Sequence, residues 1–276
     1  MRPVGDQRGN AVAELFGRRG ALIGVVHLLP LPGAPRYAGG GMAPILERAR
    51  HDADAYLAGG MDGLIVENHG DGPFAKPDAL GPETAACMAV VTDMVRREFG
   101  CPLGINVLAN AALPALATAV AGGAQFIRVN QWANAYVANE GIIEGAAAPA
   151  MRYRRTLDAG HIKVFADAHV KHGAHAIVGD RPVEELVRDL AFFDADAVIA
   201  TGQRTGDAAD LGYIGTIAAA SHLPTLVGSG VTAGNVAAII EIVDGAIVAS
   251  SLKRDGVWWN EVEPARVKAL AAAAGR

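Results

Sequence analysis

The chain has 276 residues and a net charge of −5; 51% of it is hydrophobic and only 5% aromatic. That composition supports a large core of small aliphatic side chains, and without a block of Lys or Arg it offers no footprint for nucleic acid or an anionic membrane, so the expected partner is a small molecule. Cys87 and Cys101 lack CxxC or Cys/His ligand spacing, no run of about 18 apolar residues offers direct membrane insertion, and residues 1–20 lack the apolar core of a signal peptide, so a cytoplasmic protein held by packing is expected.

From residue 21 onward, short apolar runs recur: 21–27 (ALIGVVH), 62–68 (DGLIVEN), 102–108 (PLGINVL), 125–130 (QFIRVN), 162–169 (IKVFADAH), 196–202 (DAVIATG), 224–230 (PTLVGSG) and 244–250 (DGAIVAS). Helical stretches such as 44–60, opened by a proline and closed by Gly-Gly, and 183–196 separate them. Alternating strand and helix demands parallel strands with crossover helices. Eight such units in this length predict a single-domain α/β fold, a (β/α)8 TIM barrel over 21–276 behind an N-terminal extension at 1–20. An open dinucleotide-binding sheet is the rival, but HLLPLPGAPRY follows the first strand where that sheet needs GxGxxG.

In such a barrel alternate strand residues face the axis, and the carboxyl ends of the strands carry the chemistry. His27 ends the first strand, Glu67 or Asn68 the second and Asn106 the third; Arg128 and Asn130 end the fourth, and Thr201 the sixth. In IKVFADAH the parity puts Lys163, Phe165, Asp167 and His169 inward, the last two at the mouth and about 7 Å apart along the strand. His27, Glu67, Asp167 and His169 are therefore the expected catalytic group, with Asn106, Arg128, Asn130 and Thr201 as substrate contacts. Lys163 reads as an ion-pair partner or a Schiff-base amine, Lys171 as a receiver of a substrate anion, and His172 and His175 as loop histidines with a smaller claim on the chemistry.

The later loops suggest a phosphate grip. VGSGVTAGN turns through Gly228, Ser229 and Gly230 toward a helix that Thr232 is placed to cap, and Ser250 and Ser251 follow the eighth strand with Lys253 and Arg254 close behind. Arg204, in the loop after the sixth strand, is a candidate substrate or phosphate clamp. Trp258 and Trp259 read as ordinary packing or as a subunit contact, and a homo-oligomer is compatible with a barrel of this size.

The segments VVHLLPLPGAPRY, LIVENHGDGPF, RVNQW, VFADAHVKHGAH, ATGQRTG, VGSGVTAGN and IVASSLKRDG, in this order from about residue 20 to the end, closely resemble the BtpA family. The resemblance implies a TIM barrel. It also implies either a role in accumulating the photosystem I membrane complex or, as relatives outside photosynthesis suggest, an enzyme of sugar or nucleoside catabolism. In the GSG and Ser-Ser positions the later half is similar to ribulose-phosphate-binding barrels, although their catalytic residues have no one-to-one match here.

The expected function is thus acid/base chemistry on a phosphorylated small metabolite, a sugar phosphate or nucleoside-derived phosphate, of isomerase, epimerase or aldolase/lyase type. An alternative makes His27, Glu67, Asp167 and His169 the ligands of a divalent metal, such as zinc, manganese or iron, in a hydrolase or epimerase, with Glu67, Asp167 and His169 as the nearest ligand set. A third reading is a noncatalytic assembly or stability factor for a membrane complex.

Overall fold

The protein is described here from a computed structural model covering residues 9–201 and 210–276. A short helix, α1 (Ala11–Phe16), precedes eight strand–helix units. These begin with β1 (Ala21–His27), α2 (Ala43–Ala58), β2 (Gly63–Glu67), α3 (Pro82–Phe99), β3 (Leu103–Asn106), α4 (Ala112–Gly122) and β4 (Phe126–Val129). A two-stranded hairpin, β5 (Ala135–Ala138) and β6 (Gly141–Glu144), interrupts the repeat before α5 (Ala147–Thr156). The alternation then resumes through β7 (Lys163–Asp167), α6 (Val183–Phe192), β8 (Ala197–Ala200), α7 (Leu211–Ala219), β9 (Thr225–Val227), α8 (Val236–Ile242), β10 (Gly245–Val248) and α9 (Pro264–Ala273).

The eight parallel strands close in the order β1-β10-β9-β8-β7-β4-β3-β2, the predicted TIM barrel. Every strand is covered by helices outside and by side chains inside, so the strands read as continuous apolar runs rather than alternating ones. The helices stop where local chemistry requires: α3 begins at Pro82 and ends against Gly100 in the left-handed region, with a φ of 63°.

Strand parity divides the core into two layers. Val164 and Ala166 join the outer layer beneath the helices. Phe165 joins an inner layer with Ile23, Val25, Ile65, Phe126, Ile199, Leu226 and Ile247. Phe126 and Phe165 stack with ring centroids 4.6 Å apart in the middle of the barrel. Their packing depends on Gly104, because a Cβ there would stand 2.2 Å from the Phe126 ring.

The amino-terminal end of the barrel is stoppered. Ala11 and Val12 of α1 belong to the inner layer, and Phe16 meets Phe126 edge-on at 5.9 Å. Asn10 caps α1 and donates to Asp244 Oδ1 at 2.9 Å. Lys163, at the inner start of β7, pairs with Glu14 Oε2 of this helix at 2.8 Å. That position is at the opposite end of β7 from Asp167, so Lys163 takes no part in the chemistry of the mouth. Among the described residues no helix is long and apolar enough to cross a membrane.

Candidate functional site

The carboxyl ends of the strands open into a cavity of about 550 Å³. His27, Glu67, Asn106 and Arg128 line it from β1 to β4, and Gly228–Thr232 and Val248–Ser251 line it from the loops after β9 and β10. The β5–β6 hairpin supplies Tyr136 and Glu140, and the loop after β7 supplies Lys171 and His172. These two segments are stitched together, since Val137 bridges to Ala174.

At one end of the cavity stands a compact polar cluster. Glu67 is buried at the last position of β2, where the register sets it beside His27 and Asn106. Its Oε1 accepts from His69 Nδ1 at 2.8 Å and lies 3.6 Å from His27 Nε2, and its Oε2 accepts from Asn106 Nδ2 at 2.7 Å. The two imidazoles stack, with centroids 4.4 Å apart and planes 17° apart. His27 Nδ1 lies 3.2 Å from the Trp258 carbonyl oxygen, an acceptor, so that nitrogen carries the proton and the Nε2 lone pair faces Glu67. The donor atoms of His27, Glu67 and His69 all lie within 4.8 Å of one another, a spacing able to hold a metal ion.

Electrostatics sets the charge states of His27 and Glu67. Burial pushes the His27 imidazole down to about 3, against the pull of Glu67, so the ring is neutral at pH 7. Burial alone would raise Glu67, but the hydrogen bond from His69 and the pull of the Arg128 guanidinium outweigh it and hold the carboxyl well below its usual range. A carboxylate so strongly held is a poor proton acceptor, and its role shifts from general base to anchor or ligand.

Behind this cluster lies a second buried set. Arg128 Nε and Nη2 donate to the two Asp167 oxygens at 3.3 and 3.1 Å, and Asn130 Nδ2 donates to Oδ2 at 2.9 Å. Asp167 therefore reaches the cavity only through Arg128 and Asn130, which line it. Burial, then the Arg128 charge, lowers the Lys171 ammonium, opposed by Glu67 and Asp167. Tyr136 is raised to about 12 by burial and by the Glu140 and Asp167 charges, so its phenol stays a donor.

The structure does not bring every expected residue here. β7 ends at Asp167, and the chain bends before strand parity reaches His169. The His169 ring instead lies 3.7 Å from that of His175, which stacks on Tyr136 at 5.3 Å. His169 thus stands outside the cavity lining, and neither it nor Asp167 joins the metal-competent group. Thr201 is likewise turned aside, its hydroxyl donating to the His169 carbonyl at 2.6 Å. Arg204 lies outside the described residues. Asn68, of opposite parity to Glu67, ties the loop by accepting from Leu108 N and donating to Asp71 Oδ2.

At the other end, Gly228 closes on Arg128: a Cβ there would stand 2.6 Å from Ile199 Cγ2 and 3.3 Å from Arg128 Nη2. Ser229 is buried with its Oγ unpartnered among the described residues, and Gly230 has a φ of 72°. Ser251 donates to the Val231 carbonyl at 2.8 Å, so its hydroxyl joins the two loops, while Ser250 lines the cavity. Thr232 does not cap α8; Asn235 accepts from Thr232 N and donates to Gly230 O, which delays the helix to Val236. Lys253 is withdrawn from the mouth, fully buried with its Nζ 2.7 Å from Asp52 Oδ2 on α2. Arg254 is exposed, 3.9 Å from Glu261.

A family model described as the BtpA family matches residues 18–276. The chain belongs to the BtpA family. A protein of Archaeoglobus fulgidus is 42% identical over 253 residues, 92% of this BtpA-family chain and 98% of that protein. The photosystem I biogenesis protein BtpA of Synechocystis is 39% identical over 259 residues, 93% and 88% of the two chains. Among solved structures, the tryptophan synthase alpha subunit of Legionella pneumophila aligns with a TM-score of 0.61 at 15% identity, over 97% of this chain and 99% of that one. Orotidine 5′-phosphate decarboxylase of Pyrococcus horikoshii aligns with a TM-score of 0.58 at 11% identity, over 92% and 99%. At such identities these barrels share the fold alone.

Three contributors in the BtpA-family chain escape a reading of strand ends. His69 lies in a short 3-10 turn beyond β2, where period-two parity no longer applies. A signal was present in Gly70: a Cβ there would fall 2.5 Å from Leu28 O, so the histidine turn is pressed against the segment after His27. Tyr136 comes from the hairpin, whose sign was the Asn-Glu-Gly turn between two short apolar runs. Trp258 stands edge-on to His69 with centroids 4.4 Å apart, and walls the cluster from the side of β10.

Proposed function

We propose that this protein is an enzyme that binds a phosphorylated small metabolite across the cavity and moves a proton on it, in an isomerase, epimerase or lyase reaction. The observation that carries the reading is that one cavity at the carboxyl end of the barrel strands joins a glycine-flanked loop, holding a buried hydroxyl without a partner among the described residues, to a buried carboxylate–imidazole cluster. The phosphate is assigned to Gly228, Ser229, Gly230 and Ser250, where turn amides and hydroxyls suit an anion. The reacting oxygen is assigned to the His27–Glu67–His69 end, with Arg128 and Asn130, held by Asp167, as donors for developing negative charge. Lys171, which lines the cavity and whose ammonium burial and the Arg128 charge hold below its ordinary range, is assigned the proton transfer. Orotidine 5′-phosphate decarboxylase, as its name says, takes a phosphorylated compound; that likeness gives precedent for the barrel and nothing more.

The test has two parts. Sugar phosphates incubated with the protein in deuterated water are followed by proton NMR for loss of one carbon-bound signal, which Lys171→Met abolishes. Phosphate binding is read as a rise in the thermal midpoint, which Ser229→Asp removes by setting a carboxylate where the anion sits. A wild-type protein that neither exchanges a proton on any phosphorylated compound nor is stabilised by phosphate refutes the reading.

The Synechocystis relative supports a second reading, a noncatalytic assembly or stability factor for a membrane complex. Copurification of the wild-type protein with such a complex, undiminished in Lys171→Met and Glu67→Gln, would favour it.

A further inference from the structure

We infer that His27, Glu67 and His69 form a binding site for a divalent first-row transition ion, with Asn106 completing its surroundings. The inference deepens the reading of this cavity as catalytic, by naming what the cluster at the reacting end holds.

The first support is spacing. Ligand atoms around a tetrahedral zinc ion, at the usual bond lengths of about 2.0–2.2 Å, lie about 3.3 Å from one another. His69 Nδ1 and His27 Nε2 stand 2.8 and 3.6 Å from Glu67 Oε1, on either side of that value. With His69 turned out of its stack on His27, so that both in-plane lone pairs converge, a cation bound to all three replaces the proton that His69 shares with Glu67.

The second support lies in the groups that hold the ligands. A metal-binding imidazole characteristically donates its other ring N–H to a carbonyl or carboxylate, which aims the free lone pair. His27 does this through Nδ1 to the Trp258 carbonyl, leaving Nε2 toward Glu67. Glu67 is oriented likewise, since Asn106 takes Oε2 and leaves Oε1 to face both histidines.

The third support is independent of the cluster's own bonds. Asn106 is 2% exposed and lines the cavity, yet its Oδ1 has no donor among the described residues. An ion, or a water bound to one, satisfies that acceptor, and burying it otherwise is costly. Two imidazoles and one carboxylate leave coordination positions open, the pattern of catalytic rather than structural zinc and of non-haem iron. In that position the ion would polarise a substrate oxygen.

The full chain, stripped with chelator and dialysed, is titrated with zinc by calorimetry and with cobalt(II), whose visible absorption reports the ligand set. We expect one ion per chain and the absorption of a four- or five-coordinate nitrogen–oxygen site. His69→Ala, its fold checked by circular dichroism, should lose stoichiometric uptake, and Asn106→Ala should bind about tenfold more weakly. His169→Ala should bind as the wild type does. No uptake by the wild type, or undiminished uptake in both His69→Ala and Glu67→Gln, overturns the inference. A phosphate titration on the same samples separates the two proposals. Zinc uptake that depends on His69 without phosphate binding supports the ion and removes the phosphate grip. Phosphate binding without zinc uptake overturns the ion and leaves the grip standing.

Discussion

Replacing Asp167 by Asn tests whether the buried pair beneath the cavity holds the mouth in shape. The side chains of Arg128 and Asp167 are 7% and 0% exposed, and their closest contact is 3.1 Å. At an effective dielectric of about 20, that attraction is worth about 5 kcal/mol. The amide is isosteric and keeps one hydrogen bond to its neighbours, returning about 1 kcal/mol. What remains is a buried guanidinium with its partner neutralised, and a cost of about 3–4 kcal/mol, in line with the penalty for breaking a buried pair from one side. The urea midpoint reads this directly, and the thermal midpoint should fall by about 6–8 °C. Arg128→Met completes a double-mutant cycle, in which the pair should show a coupling of at least about 2 kcal/mol. A loss below about 1 kcal/mol in Asp167→Asn, or additivity of the two changes, would refute this account.

Other consequences are sharp enough to measure. Gly228→Ala forces a Cβ to within 2.6 Å of Ile199 Cγ2, so it should destabilise by about 1–3 kcal/mol in urea denaturation and weaken phosphate binding together. Ser251→Ala removes the hydrogen bond to Val231 O and should cost about 1 kcal/mol, with faster amide exchange confined to the loops after β9 and β10. His169, pushed down to about 4 by burial and by His175, stays neutral in the folded chain while the unfolded imidazole takes a proton near 6.5. Its contribution is present in full above 6.5 and is lost as the pH falls toward 4, about 1–2 kcal/mol by pH 5, a dependence that His169→Gln should lessen in urea midpoints taken at pH 7 and pH 5.

The barrel was legible in the sequence because each strand, buried on both faces, is a short apolar run between turn residues, and that signal survives without knowledge of tertiary contacts. Glu67, Asn106, Arg128 and Asn130 were legible for the same reason: they stand in or directly after strands, where parity still governs direction. His169 marks the limit of that rule, since two residues beyond the last ladder pair of β7 the chain follows loop bonds rather than the sheet. His69 and Tyr136 stand on a 3-10 turn and an inserted hairpin, whose placement depends on contacts with distant segments such as Leu28 and Ala174. Lys253 shows the same dependence from another side, because its removal from the mouth follows from Asp52, 201 residues earlier.

The stopper at the base of the barrel bears on how this protein can be shortened. The residues matched by the family begin at 18, after α1 has ended at Phe16. A fragment trimmed to that boundary would strip the lower surfaces of Phe126 and Ile23 of their cover and leave Lys163 without Glu14. Water would then reach the aromatic stack from below, and the fragment would be prone to clumping although every strand and every cavity residue remained in it.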